Sequence, residues 1–175
     1  HGIVYRPECE GCAACVPVRV RAGEFKMSRS LRRIANRNNG VSAAIVDSTA
    51  TAEHFDLFAR YQASRHGEGS MADMDFDDYQ AMVEHSPVDT ILIECRDPDG
   101  SLFGAALTDR LKDGLSMVYS FFDPDKLARS PGTYIIVDHV RLTLSLGLRY
   151  VYLGYWIAES TKMAYKMRFR PIGLL

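Results

Sequence analysis

At 175 residues the chain has the length of one domain, or of a domain with a small appendage. It is 47% hydrophobic and 25% charged, enough apolar material for a full core and ordinary for a soluble globular protein. No run approaches the roughly 20 apolar residues needed to cross a bilayer, and no signal peptide is visible. The chain opens at His1-Gly-Ile-Val-Tyr5, as expected of a fragment or of a protein whose first part is missing. Net charge is only −1, but it is unevenly spread. Residues 1–40 hold eight Lys or Arg against three acids, which suggests an anionic partner, nucleic acid being the commonest. Three of the four cysteines are tightly spaced. That does not resemble a secreted disulfide framework and fits a reducing cytoplasm better.

The first chemical motif is Cys9-x2-Cys12-x2-Cys15. Each C-x2-C half is the usual knuckle for zinc or an iron–sulfur cluster, but three thiolates leave such a site one ligand short. Unmetallated structural thiols are the plainer reading. Residues 28–39 predict a helix that Ser28 or Ser30 caps and Asn39-Gly40 ends. Its Arg29, Arg32, Arg33 and Arg37 share a face, while Leu31, Ile34 and Ala35 turn inward. Such a row of guanidinium groups suits phosphates, which accept paired donors, although a merely solvated basic face has the same pattern.

Residues 40–47 predict a strand, and Thr51 to Arg65 a helix carrying Phe55, Leu57, Phe58 and Tyr61 at helical spacing. A second helix covers Phe76 to His85. Val88 to Arg96, the turn Asp97-Pro-Asp-Gly100 and Ser101 to Thr108 read as a β-hairpin, in which Cys95 is a small buried hydrophobe. Gly114 to Phe122 adds a third strand. Arg129-Ser-Pro-Gly-Thr133 opens a helix to about Leu146.

Tyr150 to Ile157 is aromatic and β-branched and predicts a strand buried on both faces. In Ser160 to Met167, Met163, Ala164 and Met167 fall on one helical side, and Thr161, Lys162 and Lys166 on the other. Phe169-Arg-Pro171 returns as an extended piece. Together these elements make an α/β (α+β) domain with a mixed, mostly antiparallel sheet flanked by helices. Open sheets of that kind often bind ligands where a strand, a helix and a strand meet. Tyr152, Tyr155, Trp156, Tyr165 and Lys166 are the polar groups there, against a bland alternative of core aromatics and one solvated lysine.

The order strand, Arg-x-x-Gly, helix, strand, helix with Tyr resembles the GNAT acyltransferase superfamily. That resemblance implies a pyrophosphate at the start of the central helix, here Arg129-Ser-Pro-Gly-Thr-Tyr134. Tyr134 replaces the small residue usual in acetyl-CoA users and argues against that cofactor. A closer likeness covers nearly the whole chain. It runs through Tyr5-x-Pro-x-Cys9 to Val20, Ser28-Arg-Ser-x-Arg-Arg33, Arg65-His66-Gly67 and Ser116-x-Val-Tyr-x-Phe-Phe-Asp-Pro124. Arg129 to Tyr134, Tyr152-Leu-Gly-Tyr-Trp-Ile157, Lys162-Met-x-Tyr-Lys166 and Phe169-Arg-Pro171 complete it. These motifs are similar to those of the tRNA-dependent protein aminoacyltransferases. Within them the pattern resembles the bacterial aspartate/glutamate leucyltransferase family, related to arginyl-tRNA–protein transferases. The family has a further N-terminal segment with another cysteine, and a longer C-terminal tail.

The resemblance implies transfer of an amino acid, most closely leucine, from aminoacyl-tRNA to the N-terminal Asp or Glu of a protein, marking it for degradation. Arginine is the alternative donor, and a non-catalytic tRNA- or N-terminus-binding module is the alternative of another class. No cofactor is needed for the chemistry, and no membrane is involved. An ester is exchanged for an amide, so the site needs a neutral amine, a stabilised oxyanion and a proton for the departing hydroxyl. An α-amino group with a pKa of about 7.7–8.0 is already partly neutral, so a modest base and good positioning suffice. Tyr165 is expected as the proton donor, beside Lys166, with Tyr119 and Tyr155 lining the aminoacyl pocket. Arg65, His66, Arg129, Gly132 and Thr133 are expected to bind the acceptor carboxylate or a phosphate. Arg65 and His66 could equally neutralise a helix C-terminus. The basic Cys-rich segment 1–40, with Arg29, Arg32, Arg33 and Arg37, is expected to face tRNA, and residues 41–175 to form the GNAT-like domain.

Overall fold

The computed structural model describes residue 10, residues 12–65 and residues 70–175. Cys9 and His66 lie outside the described residues. Seven strands form one sheet: β1 (Val16–Arg21), β2 (Ser42–Val46), β3 (Thr90–Arg96), β4 (Leu102–Arg110), β5 (Gly114–Phe122), β6 (Tyr150–Trp156) and β7 (Ile172–Leu174). The helices are α1 (Arg29–Arg37), α2 (Ala52–Arg65), α3 (Phe76–Glu84) and α4 (Pro131–Ser145). The strand order is β2-β3-β4-β5-β6-β1-β7. Neighbours are antiparallel throughout, except β5 and β6, which run parallel and are joined through α4, as a parallel pair requires.

Local chemistry sets the element ends. Ser28 Oγ accepts from the Leu31 amide at 3.3 Å and starts α1, and Asp75 Oδ1 accepts from the Asp78 amide at 2.9 Å and starts α3, each satisfying an orphan donor of the first turn. The β3–β4 turn closes at Gly100, whose φ of +84° lies where a side chain is disfavoured. Cys95 is buried in β3, as expected.

Helices α1 and α4 bury Leu31, Ala35, Val137 and Val140 against Val18, Val20 and Val151. On the other face Phe58 of α2 and Tyr79 of α3 meet Phe121 edge-on at 5.6 and 6.1 Å. Alternation along β5 then turns Phe122 toward α4, where it packs on Gly132. The described part of residues 1–40 is built into this architecture, since β1 lies between β6 and β7.

Two expectations are corrected. The strand β6 is buried on one face only: Val151 and Leu153 are buried, whereas Tyr150 and Tyr152 are half-buried. Their rings are covered by the Arg19 side chain of β1, its guanidinium 3.8 Å from the Tyr150 ring centroid. Residues 160–167 do not form an α-helix. They pass through turns into a short 3-10 segment, Ala164–Arg168. With three residues per turn, positions three apart share a face. Lys166 and Phe169 are therefore buried together and Ala164 is exposed, against expectation, whereas Met163 and Met167 are half-buried and Thr161 and Lys162 exposed, as expected.

The parallel pair is short. β5 and β6 are paired only from Gly114–Ser116 to Tyr150–Tyr152, although both strands continue beyond. At its root a Cβ on Gly114 would lie 2.3 Å from the Tyr150 carbonyl oxygen. Overpacking against backbone commonly costs about 1–3 kcal/mol and occasionally more. Gly114→Ala is expected at the upper end of that range, read as a lower denaturant midpoint with an unchanged slope.

Candidate active site

Where β5 and β6 part, a cleft opens with two lobes. The first, about 330 Å³, lies among α2, the end of β5 and the start of α4. The second, about 240 Å³, runs down between the two strands. Tyr61, Ser120, Ile136 and Tyr165 border both lobes, so the lobes join at one point.

A bulge in β5 shapes the second lobe. Leu107 of β4 pairs with Tyr119, and Thr108 pairs with Met117, so Val118 is the extra residue. In a regular strand Val118 and Tyr119 would face opposite ways. The bulge brings Met117, Val118 and Tyr119 all to the lobe wall, a common use of such irregularities. Leu153 and Lys166 complete the wall. Burial lowers the Lys166 ammonium pKa below the ordinary lysine range, and its Nζ donates to the Tyr155 carbonyl at 2.5 Å. The Tyr155 backbone thus holds the Lys166 amine. Tyr155 is not among the described residues that line the two lobes.

In the first lobe Arg65 extends from the last turn of α2, its guanidinium 5.9 Å from the Phe122 ring centroid. Opposite it α4 begins at Ser130, the one positive-φ non-glycine among the described residues, with no side chain capping the helix. The Gly132 and Thr133 amides belong to that uncapped first turn, and both residues line the lobe. An uncapped helix N-terminus favours negative charge. Burial raises the Tyr165 pKa and raises that of Tyr119 to about 12, so both phenols keep their protons at neutral pH. Among the described residues, neither lobe is lined by a carboxylate.

Arg129 is expected at an anion but is otherwise engaged. Its guanidinium bonds Asp97 at 3.0 Å and Asn38 at 2.9 Å and lies 4.6 Å from the Phe103 ring centroid. Asn38 is fully buried and also donates to the carbonyls of Ile34 at 3.0 Å and Arg129 at 2.9 Å. Arg37 donates to the Ala128 carbonyl. The end of α1 is thereby pinned to the residues just before the α4 N-terminus. Arg29, Arg32, Arg33 and Arg37 are all exposed along α1, the helix whose end is held against the residues just before Ser130. Tyr134 points into the core, its hydroxyl bonded to the Val41 carbonyl at 3.2 Å. Its bulk therefore does not obstruct the helix mouth, and the argument drawn from its size loses its basis.

Cys9 lies outside the described residues, Cys12 is exposed and Cys15 is half-buried, the latter two as free thiols. Among the described residues no three His, Cys, Asp or Glu side chains are grouped to hold a metal, so nothing there supports a metal at the cysteines. No described helix is long and apolar enough to cross a membrane. The residues that sequence reasoning missed are Tyr61, Met117, Ser120 and Asn38. Tyr61 reads as core from its spacing and is indeed buried, while Ser120 and Met117 border the cleft on the bulged part of β5, where it is no longer paired with β6.

Comparison with known proteins decides the family. Residues 53–175 match the arginine-tRNA-protein transferase C-terminal model, and residues 1–33 match the N-terminal one. The chain belongs to this family. It is an aminoacyltransferase. It is 53% identical over 98% of its length to an aspartate/glutamate leucyltransferase of Paramagnetospirillum magneticum, and covers 70% of that protein. Other leucyltransferases are covered over 66% and 67% of their length, so the chain spans about two thirds of such relatives. Its fold resembles the L-PGS structure from Bacillus licheniformis, with a TM-score of 0.67 at 12% identity over 90% of this chain and 57% of that one. A fungal GCN5-related glucosamine N-acetyltransferase region, likewise 12% identical, gives a TM-score of 0.56 over 92% of this chain and 20% of that one. The fold is thus GNAT-like.

Asp97 joins the family's Arg129 segment to the β3–β4 turn. Burial alone would raise its pKa, but hydrogen bonds from Lys126 and Arg129 outweigh burial and lower it. A carboxyl lowered on folding stabilises the protein above its unfolded pKa of about 3.9, and that contribution is lost as pH falls through the folded value. Asp97→Asn is expected to flatten the stability–pH curve below about pH 4. Urea midpoints measured between neutral and acid pH check this.

Proposed function

We propose that the cleft transfers leucine from leucyl-tRNA to an N-terminal Asp or Glu. The carrying observation is the absence of carboxylates from both lobes among the described lining residues, joined to their different chemistry. The second lobe presents Met117, Val118, Ile136 and Leu153 among the polar residues Tyr61, Tyr119, Ser120, Tyr165 and Lys166. A guanidinium there would lose its water and gain no counter-charge among the described lining residues, which disfavours arginine and leaves the uncharged side chain as the better fit. The family description names arginine, and that donor is the second reading, but the lobe supports leucine.

The first lobe offers the acceptor's acidic side chain the Arg65 guanidinium, which pairs well with a carboxylate. The α4 amides, next to the arginine ridge, suit a phosphate of the terminal nucleotides. Exposed arginines on α1 would hold the body of the tRNA through phosphates, with affinity that falls as salt rises.

The ester carbonyl then sits where the lobes join. The acceptor amine attacks it, forming the C–N bond and breaking the ester C–O bond. Lys166, favoured neutral by burial, takes the proton from the amine nitrogen, and Tyr165 gives a proton to the departing ribose oxygen. No covalent enzyme intermediate is required, because a neutral amine attacks an activated ester readily once held in place.

The decisive assay incubates the full-length protein with an Asp-terminated peptide and tRNA charged with labelled leucine or arginine. Leucine incorporation is expected, and arginine incorporation alone overturns the donor assignment. For Lys166→Met, general-base loss is expected to lower kcat about 10²- to 10⁴-fold. A base must be unprotonated, so wild-type kcat should rise with pH toward the lowered Lys166 pKa. The variant should lose that rise, as read from initial rates across pH.

A further inference from the structure

We infer that Gln62 is a positioning residue that reserves the Tyr119 hydroxyl proton for the carbonyl oxygen of the donor ester. The inference deepens the proposed aminoacyl transfer and rests on it. Gln62 belongs to α2 and is only 1% exposed, so its amide has no access to solvent. Its Nε2 lies 3.1 Å from the Tyr119 hydroxyl oxygen. A phenol has one proton and accepts through its lone pairs. Holding the hydroxyl as an acceptor on its Gln62 side leaves that single proton to point elsewhere. Among the described residues no other hydrogen bond to the hydroxyl is found, and Tyr119 is one of the residues lining the second lobe.

The orientation of the amide decides the outcome. Reversed, the carboxamide oxygen would draw the phenol proton toward itself, and the lobe would meet lone pairs alone. The reversed amide would also leave both buried N–H groups without an acceptor. In the orientation observed, the carboxamide oxygen is the atom without a partner. Buried carbonyl oxygens tolerate a missing partner better than buried N–H donors do, so the observed orientation is the stable one. The β5 bulge supplies the aim, since it is what brings Tyr119 to the lobe wall. Burial keeps the phenol protonated, so it acts as a donor to developing negative charge and does not become a base. Removing one such donor typically costs 10²- to 10³-fold in kcat.

The test compares Gln62→Glu, Tyr119→Phe and the double variant with wild type, using leucyl-tRNA and an Asp-terminated peptide. The carboxylate that Gln62→Glu introduces can only accept while ionised, so kcat is expected to fall about 100-fold with the KM for leucyl-tRNA nearly unchanged. On protonation the same side chain regains a donor. The ratio of Gln62→Glu to wild-type kcat should therefore climb as pH falls, which a purely structural role would not produce. The double variant should be no slower than Tyr119→Phe alone, because both changes remove one interaction. A pH-independent ratio, or losses that multiply in the double variant, overturns the inference while wild-type transfer leaves the proposed function standing. Absence of leucine transfer by wild type overturns both. Should Gln62→Glu fail to fold, Gln62→Met removes the donor without adding charge. It must then show the same kcat loss and the same non-additivity with Tyr119→Phe.

Discussion

The architecture depends on how briefly β5 and β6 stay together. Their three paired positions at Gly114–Ser116 are held by a glycine, because any side chain there would meet the Tyr150 backbone. Beyond Ser116 the strands separate, and backbone groups that would have bonded each other border a cleft instead. The crossover helix α4 begins at that cleft, since a helix linking parallel strands must start near the end of the first. One local constraint thus delivers a gap between strands, a helix N-terminus above it and a bulged strand along its wall.

Charge then sorts the walls. The carboxylates near the site are already committed elsewhere: Asp97 holds Lys126 and Arg129, and Asp123 holds Arg60 at 2.7 Å. The lining that results has cations, hydroxyls, free amides and aliphatic groups. Lys166 is buried with no carboxylate bonded to it among the described residues, which makes its ammonium costly and shifts it toward the neutral amine. The same environment holds Tyr119 and Tyr165 in their protonated forms. Desolvation thus shifts the lysine toward its neutral form and the phenols further toward theirs, the directions that the proposed base and proton-donor roles need.

Most of the fold was legible because its elements carry strong local periodicity. The helix of four arginines, the hairpin around Asp97–Gly100 and the crossover helix all lie where their patterns place them. The errors share a cause. Tyr150 and Tyr152 look like core from their aromatic rings, but an arginine from a strand far away in sequence covers them. Arg129 looks like a phosphate ligand from its motif, yet its carboxylate partner lies 32 residues earlier. Residues 160–167 carry an α-helical spacing that a 3-10 turn overrides, and that change alone moved Lys166 from solvent to the cleft wall. Ser120 and Met117 escaped notice because strand divergence and a bulge leave no signature in nearby residues.

The pinning of α1 gives the basic ridge a mechanical meaning. Asn38 commits its side-chain amide and its side-chain oxygen to two segments, the end of α1 and Arg129, and Arg37 adds a bond to Ala128. Next in sequence comes Ser130, in a left-handed conformation that costs on the order of 1–3 kcal/mol and persists only when its surroundings over-determine it. The clamp supplies that determination from one side and the buried Pro131 from the other. A nucleic acid seated on the arginines would thus lean on the same backbone that aims the α4 amides into the first lobe. Binding energy gathered far from the ester can in this way go into placing the reacting ends, which is where an uncatalysed amine–ester reaction is weakest.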